Sequence, residues 1–112
     1  MYGLFGRGVA VRDLTAEEVA AGLEEGRVLL IDVREDQETA AERIPGSLLM
    51  PLSTFDPLDI PDPEGRMVVF SCRSGNRSVK ASEIAQAAGL AYDAHLAGGI
   101  LGWRAAGYPT ET

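Results

Sequence analysis

The chain has 112 residues with one cysteine, one histidine and one tryptophan, and only 6% of it is aromatic. A single cysteine excludes an internal disulfide, so packing alone must hold the fold. One histidine beside one cysteine leaves too few soft ligands for a metal, and neither a metal site nor another cofactor is expected. Basic side chains are scarce, ten against seventeen acidic ones, which gives a net charge of −7. That deficit argues against nucleic acid, whose phosphates are gripped by clustered Lys and Arg. No apolar run approaches the roughly 20 residues that cross a bilayer. The opening MYGLFGRGVAVRDL has no basic segment followed by a long apolar core, so neither a membrane partner nor a signal peptide is expected. Repeats, low-complexity tracts and Gly-rich nucleotide fingerprints are absent. A free thiol with some exposure suits a reducing compartment, and a cytoplasmic location is the expectation.

The length suits one compact domain, expected to span 1–112, and 46% apolar residues suffice for a core. VAVRDL (9–14) reads as a short strand. DLTAEEVAAGLEEG (13–26) predicts a helix: Thr15 and Glu18 fit a capping box, Ala16, Val19, Ala20 and Leu23 share one face, and Gly26 is a natural stop. VLLIDV (28–33) and MVVFS (67–71) are apolar runs of the kind that form strands buried on both faces. Between them, EDQETAAERIPGS predicts a short polar helical turn, SLLMPL (47–52) a strand, and 53–66 mostly loop with one helical turn. A helix is expected from about Ser78 to Ala88, with Val79, Ile84 and Ala87 or Ala88 facing inward. AYDAHLAGG (91–99) and GILGWRAAGYP then supply a last strand and a last helix. Strands alternating with helices imply a three-layer α/β/α domain with a parallel sheet of about five strands. In such sheets ligands gather outside the carboxyl ends of the strands, where Cys72 falls.

Cys72 opens the segment CRSGNRS, between a strand ending at Ser71 and a helix starting near Ser78. A short loop there turns several backbone N–H groups inward, especially if Gly75 takes positive φ. The helix behind it adds roughly half a positive charge at its N-terminus. Cys72 is the candidate nucleophile, acidified by that setting. Arg73, Ser74, Gly75, Asn76, Arg77 and Ser78 form the candidate anion cradle. Between Glu64 and Glu83 every charged residue is basic, namely Arg66, Arg73, Arg77 and Lys80, so an acidic chain carries one local attractor for anions. The competing reading is a buried cysteine with solvated arginines. The strand–loop–helix context outweighs it.

CRSGNRS at the end of a strand, together with LLIDVRE (29–35), RIPGSLLMPL (43–52) and LAGGILGW (96–103) in that order, resembles the rhodanese family of sulfurtransferases over nearly the whole chain. The family often has His before the Ile-Pro-Gly turn, where this chain has Arg43. The resemblance implies transfer of a sulfane sulfur through a Cys72 persulfide, from a small anionic donor such as thiosulfate to cyanide or an external thiol acceptor. By its place in the loop, Arg73 is expected to face solvent and meet the donor's oxygens. By resemblance, Arg77 turns inward to a carboxylate, with Asp32 the candidate partner. Asp32 and Arg34 read equally well as a structural ion pair, and either way they are expected beneath the loop as support.

Two alternatives stand beside this reading. Cysteine-dependent phosphatases or arsenate reductases use a similar turn, but with five residues between Cys and Arg where this chain has four. A sulfur-carrier or interaction module without catalysis is the other. His95 is expected to be structural, because nothing in the sequence sets it beside Cys72. Trp103 reads as a packing anchor, Gly98 and Gly99 as a tight turn.

Overall fold

The computed structural model describes residues 9–112; residues 1–8, on which the leader reading and the first part of the 1–112 span rest, lie outside the described residues. Five strands, β1 (Arg12–Leu14), β2 (Val28–Asp32), β3 (Leu48–Leu49), β4 (Met67–Ser71) and β5 (Ala94–Leu96), form one sheet in the order β1-β5-β4-β2-β3. Every pairing is parallel. The helices are α1 (Ala16–Glu24), α2 (Asp36–Ala41), α3 (Asn76–Ala87) and α4 (Gly99–Ala105).

The two central strands run side by side from Val28 opposite Met67 to Asp32 opposite Ser71. Their side chains alternate between two cores, as the period of two requires. Val28, Leu30 and Val69 join Val19 of α1 and Ile100 and Trp103 of α4 on one face. Leu29, Ile31, Val68, Phe70 and Cys72 join Ala81 and Ala85 of α3 on the other. The α/β/α layering expected from the sequence is therefore present, and the parity of β4 sends Cys72 toward α3.

Most expected elements form, several of them shorter. The strands read over 9–14, 47–52 and 91–99 contract to Arg12–Leu14, Leu48–Leu49 and Ala94–Leu96, and 53–66 is flanked and entered by two 3₁₀ turns, Leu52–Thr54 and Pro57–Asp59. The capping box of α1 is made: Glu18 N–H donates to Thr15 Oγ1 (3.1 Å) and Thr15 N–H to Glu18 Oε1 (2.9 Å). The face of α3 is a correction. Its buried residues are Ser78, Ala81, Ser82 and Ala85, whereas Val79 and Ile84 are half-buried and Ala87 and Ala88 exposed. Small side chains at i, i+3, i+4 and i+7 let the helix lie close to the sheet, and closeness matters more here than bulk. Among the described residues no helix is long and apolar enough to cross a membrane.

α1 uses the same device at Gly22, where a Cβ would stand 2.3 Å from Val28 Cγ2. Alanine gains about 1 kcal/mol of helix propensity over glycine, but overpacking against a stiff β-branched neighbour costs roughly 1–3 kcal/mol. Gly22→Ala is therefore expected to lower unfolding stability by about 1 kcal/mol in urea titrations. Combined with Val28→Ala, it should be less damaging than the two changes summed.

Candidate active site

Cys72 follows β4 directly and is only 1% exposed, so the partly exposed thiol expected from the sequence is instead buried. Its sulfur nonetheless meets polar hydrogens. Gly75, at φ 113°, reverses the chain so that its N–H donates to Sγ (3.1 Å), and Ser78 N–H donates from the first turn of α3 (3.4 Å). Ser78 Oγ lies 3.5 Å away, and the Ser74 amide also points at the sulfur. Burial pushes the thiol up, but the Ser78 hydroxyl and the amides of Ser78, Gly75 and Ser74 more than offset it, leaving Cys72 below the ordinary thiol range. Because α3 begins at Asn76 rather than Ser78, the N–H groups of Asn76, Arg77 and Ser78 belong to a helix start, where they have no intrahelical partner.

A second helix fixes the loop from behind. Ile100 N–H donates to the Cys72 carbonyl (2.9 Å) and Leu101 N–H to the Arg73 carbonyl (3.1 Å). With both carbonyls drawn toward α4, the following N–H groups are left facing the sulfur. Gly99 makes this approach feasible: at φ 59°, its missing Cβ would lie 2.4 Å from both carbonyl oxygens. The Gly98–Gly99 pair thus serves the loop as well as the turn read from the sequence.

The cradle residues divide. Arg73, Ser74 and Asn76 are exposed, Gly75 and Arg77 half-buried, and Ser78 buried. Arg77 does turn to a carboxylate, but the partner is Glu38, held through Nη1 (2.7 Å) and Nη2 (2.9 Å), and not Asp32. Asp32 has the same parity as Leu30, which packs on the face opposite Cys72, so its side chain leaves the sheet on the wrong side to meet α3. There it forms a buried ion pair with Arg34 (2.8 Å), whose guanidinium also donates to the Glu42 carbonyl (2.8 Å). Asp32 and Arg34 are therefore not brought to the loop.

Glu38 links two helix starts. Besides Arg77 it accepts from Glu35 N–H (2.9 Å) in the capping box of α2. The Arg77 guanidinium, aided by that amide, holds the Glu38 carboxyl down at about 2 in spite of partial burial.

One further group has no signature in the sequence. His95, set aside as structural, has Nδ1 2.8 Å from Ser78 Oγ and Nε2 2.7 Å from Asp13 Oδ1. Asp13 and Phe70 flank His95 in register on β1 and β4, so all three share the face toward which Cys72 points. Cys72, Ser78, His95 and Asp13 consequently form one hydrogen-bonded line. No local motif marks it, because Asp13 and His95 are 82 positions apart and meet only through strand register.

Comparison with known proteins identifies the family. The family model for the rhodanese-like domain matches residues 15–106. A sulfurtransferase of Allochromatium vinosum is 34% identical over 101 residues, covering 88% of this chain and 94% of its own length. An uncharacterised protein of Synechocystis sp. is 42% identical over 83 residues, 74% of this chain, and the chain spans 46% of that protein. Among solved structures, a Rhodopseudomonas palustris protein of unknown function, a possible tyrosine phosphatase, superposes with a TM-score of 0.77 at 30% identity, covering 99% of both chains.

Two outcomes follow from the geometry. A carboxyl depressed in the folded state stabilises the fold above its unfolded value, ordinarily about 4.3, and that contribution is lost as pH falls from there toward 2. Glu38→Gln should cost roughly 1 kcal/mol at neutral pH and remove that part of the acid loss, as read from urea midpoints across the range. Gly99→Ala should destabilise the fold by roughly 2 kcal/mol or more, since neither carbonyl oxygen can retreat without turning the loop. The same denaturation measurement checks it.

Proposed function

The chain belongs to the rhodanese-like domain family, and from that membership we propose that its one domain is a sulfurtransferase that carries a sulfane sulfur on Cys72. The observation that supports this most directly is the ring of donors around the buried sulfur, Gly75 N at 3.1 Å and Ser78 N at 3.4 Å. Such a ring stabilises an anion on sulfur without any general acid. It suits first a thiolate and then the terminal anion of a persulfide.

In the proposed first half-reaction, the Cys72 thiolate attacks the outer sulfur of a donor such as thiosulfate. The donor's S–S bond breaks, sulfite leaves with the electron pair, and Cys72 retains the outer sulfur as Cys72–S–S⁻. Burial of Sγ favours a donor whose reacting sulfur protrudes as a single-atom tip. Exposed Arg73 at the loop supplies charge for the donor's oxygens. In the second half-reaction a nucleophile attacks the outer sulfur and restores the thiolate: cyanide becomes thiocyanate, a thiol becomes a persulfide. With one cysteine in the chain, no internal thiol resolves the intermediate, so the acceptor is external. Two half-reactions through a covalent intermediate give ping-pong kinetics. A carrier that hands its sulfur to a partner protein uses the same first step.

The phosphatase alternative has the R. palustris likeness in its favour. Against it, the spacing from Cys72 to Arg77 is one residue short, and both terminal nitrogens of Arg77 are engaged by Glu38 rather than offered to a phosphate.

Incubation with thiosulfate should add the mass of one sulfur atom to the peptide bearing Cys72, and Cys72→Ser should abolish thiocyanate formation from thiosulfate and cyanide. An unchanged mass on a reduced, intact thiol would overturn the proposal. Efficient cleavage of an artificial phosphoester would favour the phosphatase.

A further inference from the structure

We propose that His95 takes up the Cys72 thiol proton through Ser78, so that the resting site is a thiolate–imidazolium pair bridged by a serine hydroxyl. His95 acts here as a positioning residue, because it reaches the sulfur only through Ser78. The proposal deepens the sulfur-transfer reading and rests on it for the need to have a thiolate at hand.

The direction of the hydrogen bonds follows from the line's outer end. The ionised Asp13 carboxylate only accepts, so His95 Nε2 carries a hydrogen and donates it across 2.7 Å. In the neutral ring Nδ1 is then an acceptor, and the Ser78 hydroxyl must donate to it across 2.8 Å. That commitment leaves the Ser78 oxygen facing Cys72, 3.5 Å away, with lone pairs only, ready to accept the thiol S–H. All three hydrogens point the same way, from sulfur toward Asp13.

A concerted shift by one place moves the thiol proton to Ser78 Oγ and the former hydroxyl proton to His95 Nδ1. The S–H and original O–H bonds break, new O–H and N–H bonds form, and no electrons change hands. Cys72 becomes an anion, His95 a cation and Ser78 remains neutral, so the net charge of the line is unchanged. Ser78 has thereby reversed its role. Its hydroxyl now donates to the thiolate alongside the Gly75 and Ser78 amides.

The surroundings fit a charge that is transferred rather than a neutral packing contact. The His95 side chain is 5% exposed, whereas that of Asp13 is 76% exposed, so the line leads from a buried sulfur to a solvated carboxylate. From β1 the group facing the ring is Asp13, and from β4 its neighbour in register is the uncharged Phe70. From α3 the buried side chains are Ser78, Ala81, Ser82 and Ala85, none of them charged. The charged residues of α3 lie off that buried face, with Arg77 bound to Glu38, Lys80 exposed and Glu83 half-buried. From the loop, Gly75 lies against the ring edge, where a Cβ would come within 3.6 Å of His95 Cε1. Arg104, the charged residue of α4, is paired with Glu42. Among the described residues, Asp13 and Cys72 are thus the two ionisable groups on the line that holds the imidazole.

The test is the pH dependence of Cys72 alkylation by iodoacetamide, which needs no sulfur donor. His95→Asn keeps an acceptor oxygen for Ser78 but cannot hold the proton. It is expected to move the alkylation profile to higher pH and to slow alkylation at pH 7 severalfold, as the thiolate fraction falls, and Ser78→Ala should do the same. Superimposable profiles for wild type and His95→Asn, at equal melting temperature, would overturn the relay. Should His95→Asn fail to fold, nitrogen NMR of the wild-type ring decides. Capping Cys72 with a methylthio group should move the His95 signals toward the neutral Nε2–H pattern, and signals indifferent to capping would overturn it. Loss of thiosulfate loading with an intact alkylation difference would sink the sulfur-transfer reading and leave the relay standing. The reverse result would do the opposite.

Discussion

The structure turns on a sulfur atom buried where a strand stops and a helix begins, and kept from being merely apolar by amide hydrogens aimed at it. Burial alone raises a thiol's pKa, and Cys72 is packed beside Ile31, Val33 and Phe70. What reverses the outcome is geometric. The left-handed turn at Gly75 and the open first turn of α3 supply the donors, and α4 draws the loop's carbonyls the other way. Remove either half and the same cysteine is an ordinary small core residue.

The rest of the molecule can be understood as support for that loop. The central pair β2–β4 carries Cys72 to the carboxyl edge of the sheet. The small residues on α3 bring the helix close enough for its first N–H groups to reach Sγ. Charge is arranged on the same plan. Within a chain of net charge −7, the basic residues near the loop form a local exception, yet they do different jobs. Arg77 is consumed in clamping α3 to α2 through Glu38, while Arg73 stays exposed at the surface of the loop. The buried Asp32–Arg34 pair ties the end of β2 to the segment after α2 on the far face of the sheet.

Much of this was legible before any coordinates. The limits of the strand MVVFS and the capping box of α1 are in the sequence, as is the glycine that allows positive φ at position 75, because each depends on neighbours a few positions away. The inward face of α3 departs from expectation for a physical reason: the larger apolar residues Val79 and Ile84 suggest one face, whereas the helix buries Ser78, Ala81, Ser82 and Ala85. The burial of Cys72 is likewise invisible in the sequence, since a loop position says nothing about how closely neighbouring elements cover it.

What the sequence determined by itself was the strand–cysteine–glycine–helix order, and with it an anion-stabilising turn, because backbone preferences act over a few residues. Which side chains meet was decided only by the tertiary structure. Arg77 finds Glu38 and not Asp32 because alternate residues of a strand leave on opposite faces of the sheet. Asp13 and His95, far apart along the chain, become neighbours because β1 and β5 pair in register, which brings an imidazole to the serine that touches the sulfur.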